Sequence, residues 1–245
     1  MQKANSQQMI PIVFLSLGPG DAELLTVKAA KMLQQADIII IPATADADGQ
    51  MHSRAADIVG AWSTQEKIHL YPLPMRPDRQ AAHAVYDRIY TDAREAQASG
   101  QRVVVAVEGD TSIYASIHYV LERLRADGIA TEQQPGIPSF IAAAAMAGLS
   151  LCSQQERLLV IPGDATAGEL RDLLDSGHVV VVMKLSRCQQ AVKQLLCEQG
   201  AAVEVNYFEN VGTPAAFHTA DADLILHRDM PYFSLAIIRR GTDRG

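Results

Sequence analysis

The chain has 245 residues, 48% of them hydrophobic and 20% charged, which suits one large or two modest globular domains. A formal net charge of -7 argues against nucleic acid as a main partner. Its three cysteines, Cys152, Cys188 and Cys197, form no C-x-x-C pair, so a disulfide scaffold or a zinc site is not expected and a reducing compartment is.

The opening residues, MQKANSQQM, lack the apolar core of a signal peptide. No apolar run approaches the ~20 residues of a membrane-spanning helix. A cytoplasmic protein with no membrane partner is therefore expected.

Residues 10–17 (IPIVFLSL) read as a buried strand that runs into a glycine turn, GPGD at 18–21. A helix is expected over 26–35 with Thr26 as its N-cap, then a strand at 37–41. Residues 42–54 read as a long irregular connection of the kind that covers a ligand. The near-continuous apolar run at 102–107 fits a strand of a parallel sheet covered on both faces. EGDTSIY at 108–114 follows it, with a helical pattern over 113–125.

In the second half, strands are expected at 157–162, 178–184, 202–209 and 232–240, with helices at 167–174 and 189–199. The alternation gives an α/β protein of two α/β domains with a cleft between them. Residues 125–136 are the expected crossing, dividing the chain into domains 1–127 and 128–245.

Three glycine loops, GPGD, EGDTSIY and PGIPSF (135–140), each follow an apparent strand. Carboxyl ends of parallel strands form the ligand crevice of open α/β sheets. Glycine there permits left-handed backbone and close ligand approach. Tight strand-to-helix turns need glycine in any case, but recurrence at one sheet edge favours a binding site. A dinucleotide is not expected, because Glu23 stands where G-x-G-x-x-G needs its third glycine. The seven histidines show no tight ligand spacing, so no metal site is expected.

Five segments in order, LGPGDAELLTVKAAKMLQQAD, VAVEGDTSIYAS, QPGIPSFIAAAAMAGL, VVVMK and PYFSLAIIRR, span nearly the whole chain. Together they resemble the tetrapyrrole methylase family. The resemblance implies two α/β domains, S-adenosylmethionine as methyl donor, a tetrapyrrole substrate and a homodimer. EGDTSIYASIHYVLERL, ERLLVIPG and the closing strand look most like the precorrin-2 C20-methyltransferases. That implies methylation of the C20 meso carbon of precorrin-2 or cobalt-factor II in cobalamin synthesis, with any cobalt arriving inside the substrate.

Two positions depart from the family pattern. Thr111 replaces the commoner proline of G-D-P. Pro42 stands where members that methylate uroporphyrinogen carry an aspartate proposed as general base, which implies a different ring position.

By motif position, the resemblance implies cofactor contacts at Pro19, Glu108, Gly109, Asp110, Ile113, Tyr114, Ser139, Phe140 and Met183. Glu108, Gly109 and Asp110 would present mainly backbone. Tyr207, Glu209 and Phe233 match more loosely. Without the family, Met183 reads as a core residue ending a strand and Tyr114 as helix packing. The substrate's carboxylates imply arginines at the rim, with Arg54, Arg76, Arg79 and Arg187 as candidates, although each alone reads as a solvated surface residue. No residue is assigned as general base. The rival readings are another ring methylase, a diphthine-synthase-like protein methylase, and a catalytically silent adenosylmethionine- or tetrapyrrole-binding module.

Overall fold

The structure is a computed structural model describing residues 10–45, 51–74 and 79–241. It divides into two compact units, Met1–Pro138 and Ser139–Gly245.

The first unit runs β1 (Ile12–Ser16), α1 (Val27–Gln35), β2 (Ile38–Ala45), β3 (Met51–His52), α2 (Arg54–Gly60), β4 (Ile68–Leu73), α3 (Arg79–Ala98), β5 (Val103–Val107), α4 (His118–Ala126) and β6 (Thr131–Gln134). Its sheet has the order β3-β2-β5-β1-β6, with β4 also paired to β2. Every pair is parallel except β2 with β3.

The period of two along each strand sorts the apolar side chains to opposite faces. Ile12, Phe14, Ile40, Val103 and Val105 join Ile89 and Ala93 of α3 and Leu121 and Leu124 of α4 in one core. Leu15, Ile39, Ile41, Val104 and Ala106 join Ala29 and Leu33 of α1 and Ile58 and Val59 of α2 in another. Both faces are covered, which is why these strands read as unbroken apolar runs. Thr26 caps α1 by accepting a hydrogen bond from the Ala29 N–H, as expected.

The second unit runs α5 (Ser139–Met146), β7 (Arg157–Ile161), α6 (Ala167–Asp175), β8 (His178–Met183), α7 (Gln189–Gln199), β9 (Val203–Glu209), β10 (Phe217–Thr219), α8 (Ala222–His227) and β11 (Ser234–Arg240). Its sheet has the order β10-β9-β11-β8-β7, and only β7 with β8 is parallel. Its core joins β8, β9 and β11 to α6 and α7 through Val180, Val182, Tyr207, Ala236, Leu170 and Leu195.

Three sequence expectations meet a different outcome. The helix expected over 113–125 begins only at His118, because Tyr114 takes a left-handed backbone (φ 49°) that cannot continue a helix. The connection expected at 42–54 is partly regular: β2 continues through Pro42 to Ala45, and β3 and the start of α2 occupy its far end. Pairing of β2 with β5 ends at Ile40, while Pro42 stays in register with Tyr71 of β4. A proline is tolerated where a strand has lost one of its neighbours. Residues 46–50 of that connection lie outside the described residues. Finally, β6 lies beyond the expected 127/128 boundary and pairs with β1, so the first unit extends to Pro138.

Candidate active site

In the first unit, three loops from the carboxyl ends of β1, β5 and β6 are tied together by short contacts. Gly18 and Gly109 form an isolated antiparallel bridge. Below it, the Ser16 hydroxyl donates to the Gln134 carbonyl (2.7 Å) and accepts from the Thr111 N–H (2.9 Å). Ser16 and Thr111 are buried, so these bonds replace water completely. The His118 ring Nε2 lies 2.6 Å from the Thr111 carbonyl and donates to it.

The Asp110 carboxylate clamps the second loop to the third. It accepts from the Gly136 N–H (2.7 Å) and the Ser112 N–H (2.8 Å) and binds the Ser112 hydroxyl. Burial pushes its pKa up, but these hydrogen bonds outweigh burial and hold the group below the usual carboxylate range. Glu108 is the opposite case: burial raises its pKa, and the Arg54 charge 3.2 Å away offsets only part of that rise.

The glycines differ in what they leave open. A side chain on Gly136 would meet the Ser16 Cβ at 2.6 Å and the Gly109 carbonyl oxygen at 2.9 Å. At Gly109 (φ 78°) a Cβ would meet nothing within 4 Å. The cluster is closed beneath and open over Gly109, a space in which a ligand can approach bare backbone.

The structure thus brings Pro19, Glu108, Gly109 and Asp110 into one loop cluster, with Ile113 and Tyr114 in the turn that follows. Pro19 is buried and Tyr114 exposed. The carboxylates of Glu108 and Asp110 are occupied by protein groups, leaving main chain as what this loop can offer.

In the second unit, the pairings Leu235 with Met183 and Ser234 with Glu209 set Met183, Glu209 and Phe233 at one edge of the sheet. Met183 is half-buried and Phe233 is 46% exposed, packed edge-on to Tyr232. Tyr207 differs: its side chain has no exposed surface and belongs to the core. Its hydroxyl donates to Glu209 (2.6 Å), and Arg228 forks onto both Glu209 oxygens while lying 4.0 Å over the Phe217 ring. The Arg228 contact, helped by the Tyr207 hydroxyl, holds the Glu209 carboxyl below its usual range, whereas burial pushes the Tyr207 phenol up. The side chains of Tyr207 and Glu209 are therefore committed to an internal network. Ser139 and Phe140 open α5, with Phe140 buried.

Of the four arginines, Arg54 turns onto Glu108 and the Pro19 carbonyl. Arg187 is exposed in the turn after β8. Arg76 and the side chain of Arg79 lie outside the described residues.

Sequence reasoning missed Ser16, Thr111 and Arg228 as organisers. Ser16 carried a signal, being the polar residue of an apolar strand. Arg228 had none, since its partner Glu209 is distant in sequence. Among the described residues, no group of histidines, cysteines and carboxylates could hold a metal ion. None of the described helices is long and apolar enough to cross a membrane.

A mainly parallel sheet with glycine loops knitted at its carboxyl edge defines an α/β protein of the open-sheet, ligand-binding class. The chain belongs to the tetrapyrrole (corrin/porphyrin) methylases, whose family model matches residues 11–224. It is 30% identical to a precorrin-2 C(20)-methyltransferase from Sinorhizobium sp., covering 95% of this chain and 96% of that one. It is also 30% identical to the cobalamin biosynthesis protein CobIJ of Mycobacterium tuberculosis, over 94% of this chain but 46% of the relative; the chain spans about half of that protein's length. In fold it is similar to the Thermus thermophilus uroporphyrin-III C-methyltransferase complexed with S-adenosyl homocysteine, at TM-score 0.65 and 20% identity, covering 93% of this chain and 97% of that one.

Proposed function

We propose that the chain methylates the C20 meso carbon of precorrin-2 or of cobalt-factor II, with S-adenosylmethionine as donor, in cobalamin biosynthesis. The observation that carries the donor site is the open space over Gly109 in a cluster otherwise closed at atomic contact. The ring position is supported by the end-to-end likeness to a C20-methyltransferase and by Pro42, which cannot accept a proton, at the strand position of the uroporphyrinogen enzymes' aspartate.

The loop residues fit the donor by what they withhold. Arg54 occupies Glu108, and Gly136 with Ser112 occupies Asp110, so no free carboxylate of these two faces the ligand. Gly109 offers backbone at close range. In the second unit, Met183 and Phe233 supply apolar surface at one sheet edge.

When bound, the sulfonium supplies an electrophilic methyl together with its own leaving group, so no acid is required to activate it. The protein's part is to orient the methyl toward a ring carbon and exclude water, and orientation alone can supply ~7–11 kcal/mol.

The test is mass spectrometry of products formed from metal-free and cobalt-loaded precorrin-2 in parallel. Gain of one methyl at C20 is expected. Conversion of uroporphyrinogen III to precorrin-2, or methylation at another carbon, would overturn the C20 reading. Binding of the donor without turnover on either substrate would favour the silent module.

A further inference from the structure

We infer that Arg54 is a positioning residue that locks the first glycine loop to the second through Glu108, and not a receptor for substrate carboxylates. The inference rests on the donor-site reading above.

Arg54 opens α2, and among the described residues its guanidinium reaches away from that helix to the loops after β1 and β5. Its Nη2 is 3.2 Å from a Glu108 oxygen, directly after β5, and 3.4 Å from the Pro19 carbonyl in the loop after β1. Both charged side chains are largely enclosed, at 22% and 23% exposure. Both contacts are made by the same nitrogen, whose two N–H groups lie in the guanidinium plane and so point in fixed directions.

The first loop needs such a support. Pro19 sits between Gly18 (φ 76°) and Gly20 (φ 141°), two residues with little conformational preference of their own. The Gly18–Gly109 bridge fixes one side of Pro19, and Arg54 fixes its carbonyl on the other.

Glu108 needs Arg54 in return. Burial alone disfavours its charge, and removing the cation would leave an enclosed carboxylate beside the ligand space. With its charge committed to Glu108, Arg54 is poorly placed to receive a second carboxylate from a tetrapyrrole.

The test compares the full-length protein with R54Q, R54K, E108Q and the double variant R54Q/E108Q. Calorimetry reads S-adenosylhomocysteine affinity, and steady-state rates read KM for each substrate. R54Q is expected to weaken S-adenosylhomocysteine about tenfold, and R54K to recover part of that loss. In the E108Q background, R54Q should cost much less than it does alone, because the two residues act as one unit. The tetrapyrrole KM should change less than twofold.

Unchanged S-adenosylhomocysteine affinity with a tenfold rise in tetrapyrrole KM would overturn the inference in favour of a substrate-rim arginine. Additive losses in the double variant would also overturn it. Should R54Q fail to fold, R54K and E108Q decide by the same split between the two substrates. A wild-type protein that does not bind S-adenosylhomocysteine overturns the donor reading itself, a result distinct from wild-type binding that R54Q leaves intact.

Discussion

Gly18 and Gly109 exchange backbone hydrogen bonds in both directions, at 3.1 Å and 2.6 Å, so the loops after β1 and β5 move as one piece. Neither position would adopt its backbone readily with a side chain, since φ is 76° and 78°. The two differ in their surroundings. A Cβ on Gly18 meets the Leu24 carbonyl oxygen at 3.3 Å, whereas one on Gly109 points into open space.

That space yields the first prediction. Gly109→Val should fold, with a loss of about 1–2 kcal/mol for the left-handed backbone. S-adenosylhomocysteine affinity should drop at least tenfold, because the branched side chain fills the volume the ligand would use. Calorimetry beside a thermal melt checks it, and a folded variant of unchanged affinity contradicts it.

Gly136→Ala should show the reverse balance. Its backbone is ordinary, so the cost is steric and falls on a rigid neighbourhood: the Ser16 Cβ at 2.6 Å and the Gly109 carbonyl at 2.9 Å. Overpacking of this kind costs roughly 1–3 kcal/mol, or roughly 2–12 °C in melting temperature at this chain length. Thermal unfolding measures it; a melting temperature unchanged within a degree would show that the loops can shift to accommodate the methyl.

Much of this architecture is legible in the sequence, for a physical reason. Both faces of the first sheet are covered, so Val103–Val107 is apolar at every position and declares itself a strand. The α7 helix shows its period over Gln189–Gln199 without interruption. What stayed hidden depends on contacts between distant residues. The left-handed Tyr114, which delays α4, has no local signature, because a tyrosine there is unusual. Nothing beside Arg54 indicates that its charge is spent on Glu108, or beside Tyr207 that its ring enters a core. The loops were visible through their glycines; the serine, threonine and arginine that hold them were visible only through the fold.

The Glu209 network gives a prediction in pH. Arg228 and the Tyr207 hydroxyl hold the Glu209 carboxyl below its ordinary 4.5, so the folded state favours the ionised form. The resulting stability is present in full above that ordinary value and is lost as pH falls through the lowered native value. Glu209→Gln should therefore cost about 1–3 kcal/mol at neutral pH, as expected for a buried partner removed from a charged hydrogen-bond pair. The gap between wild type and variant should narrow as pH drops below about 4.5. Urea titrations at several pH values test this; a gap that stays constant to acid pH would show that Glu209 contributes through shape and not charge.

The last prediction concerns salt. The proposed tetrapyrrole substrate would be a polyanion approaching a chain of net charge -7, so its productive binding would need local cations. Arg187 is exposed in the turn after β8, and Lys184 at the head of that turn has its pKa pushed down by burial and by the Arg187 charge. Arg187 is therefore the described arginine at which we expect substrate charge to be received. Screening tightens from ~10 Å at 0.1 M ionic strength to ~3 Å at 1 M. Salt weakens these contacts while also relieving the general repulsion, and the short-range contacts should dominate. The tetrapyrrole KM is therefore expected to rise with salt, while S-adenosylhomocysteine affinity, if the proposed donor site of backbone and apolar surface holds it, stays nearly flat. Arg187→Ala should raise the tetrapyrrole KM up to about fivefold, since an exposed pair contributes up to ~1 kcal/mol, and should flatten the salt slope. The check is a salt series on both ligands for wild type, Arg76→Ala and Arg187→Ala. A tetrapyrrole KM indifferent to salt and to both substitutions would remove arginine capture from the account of substrate binding.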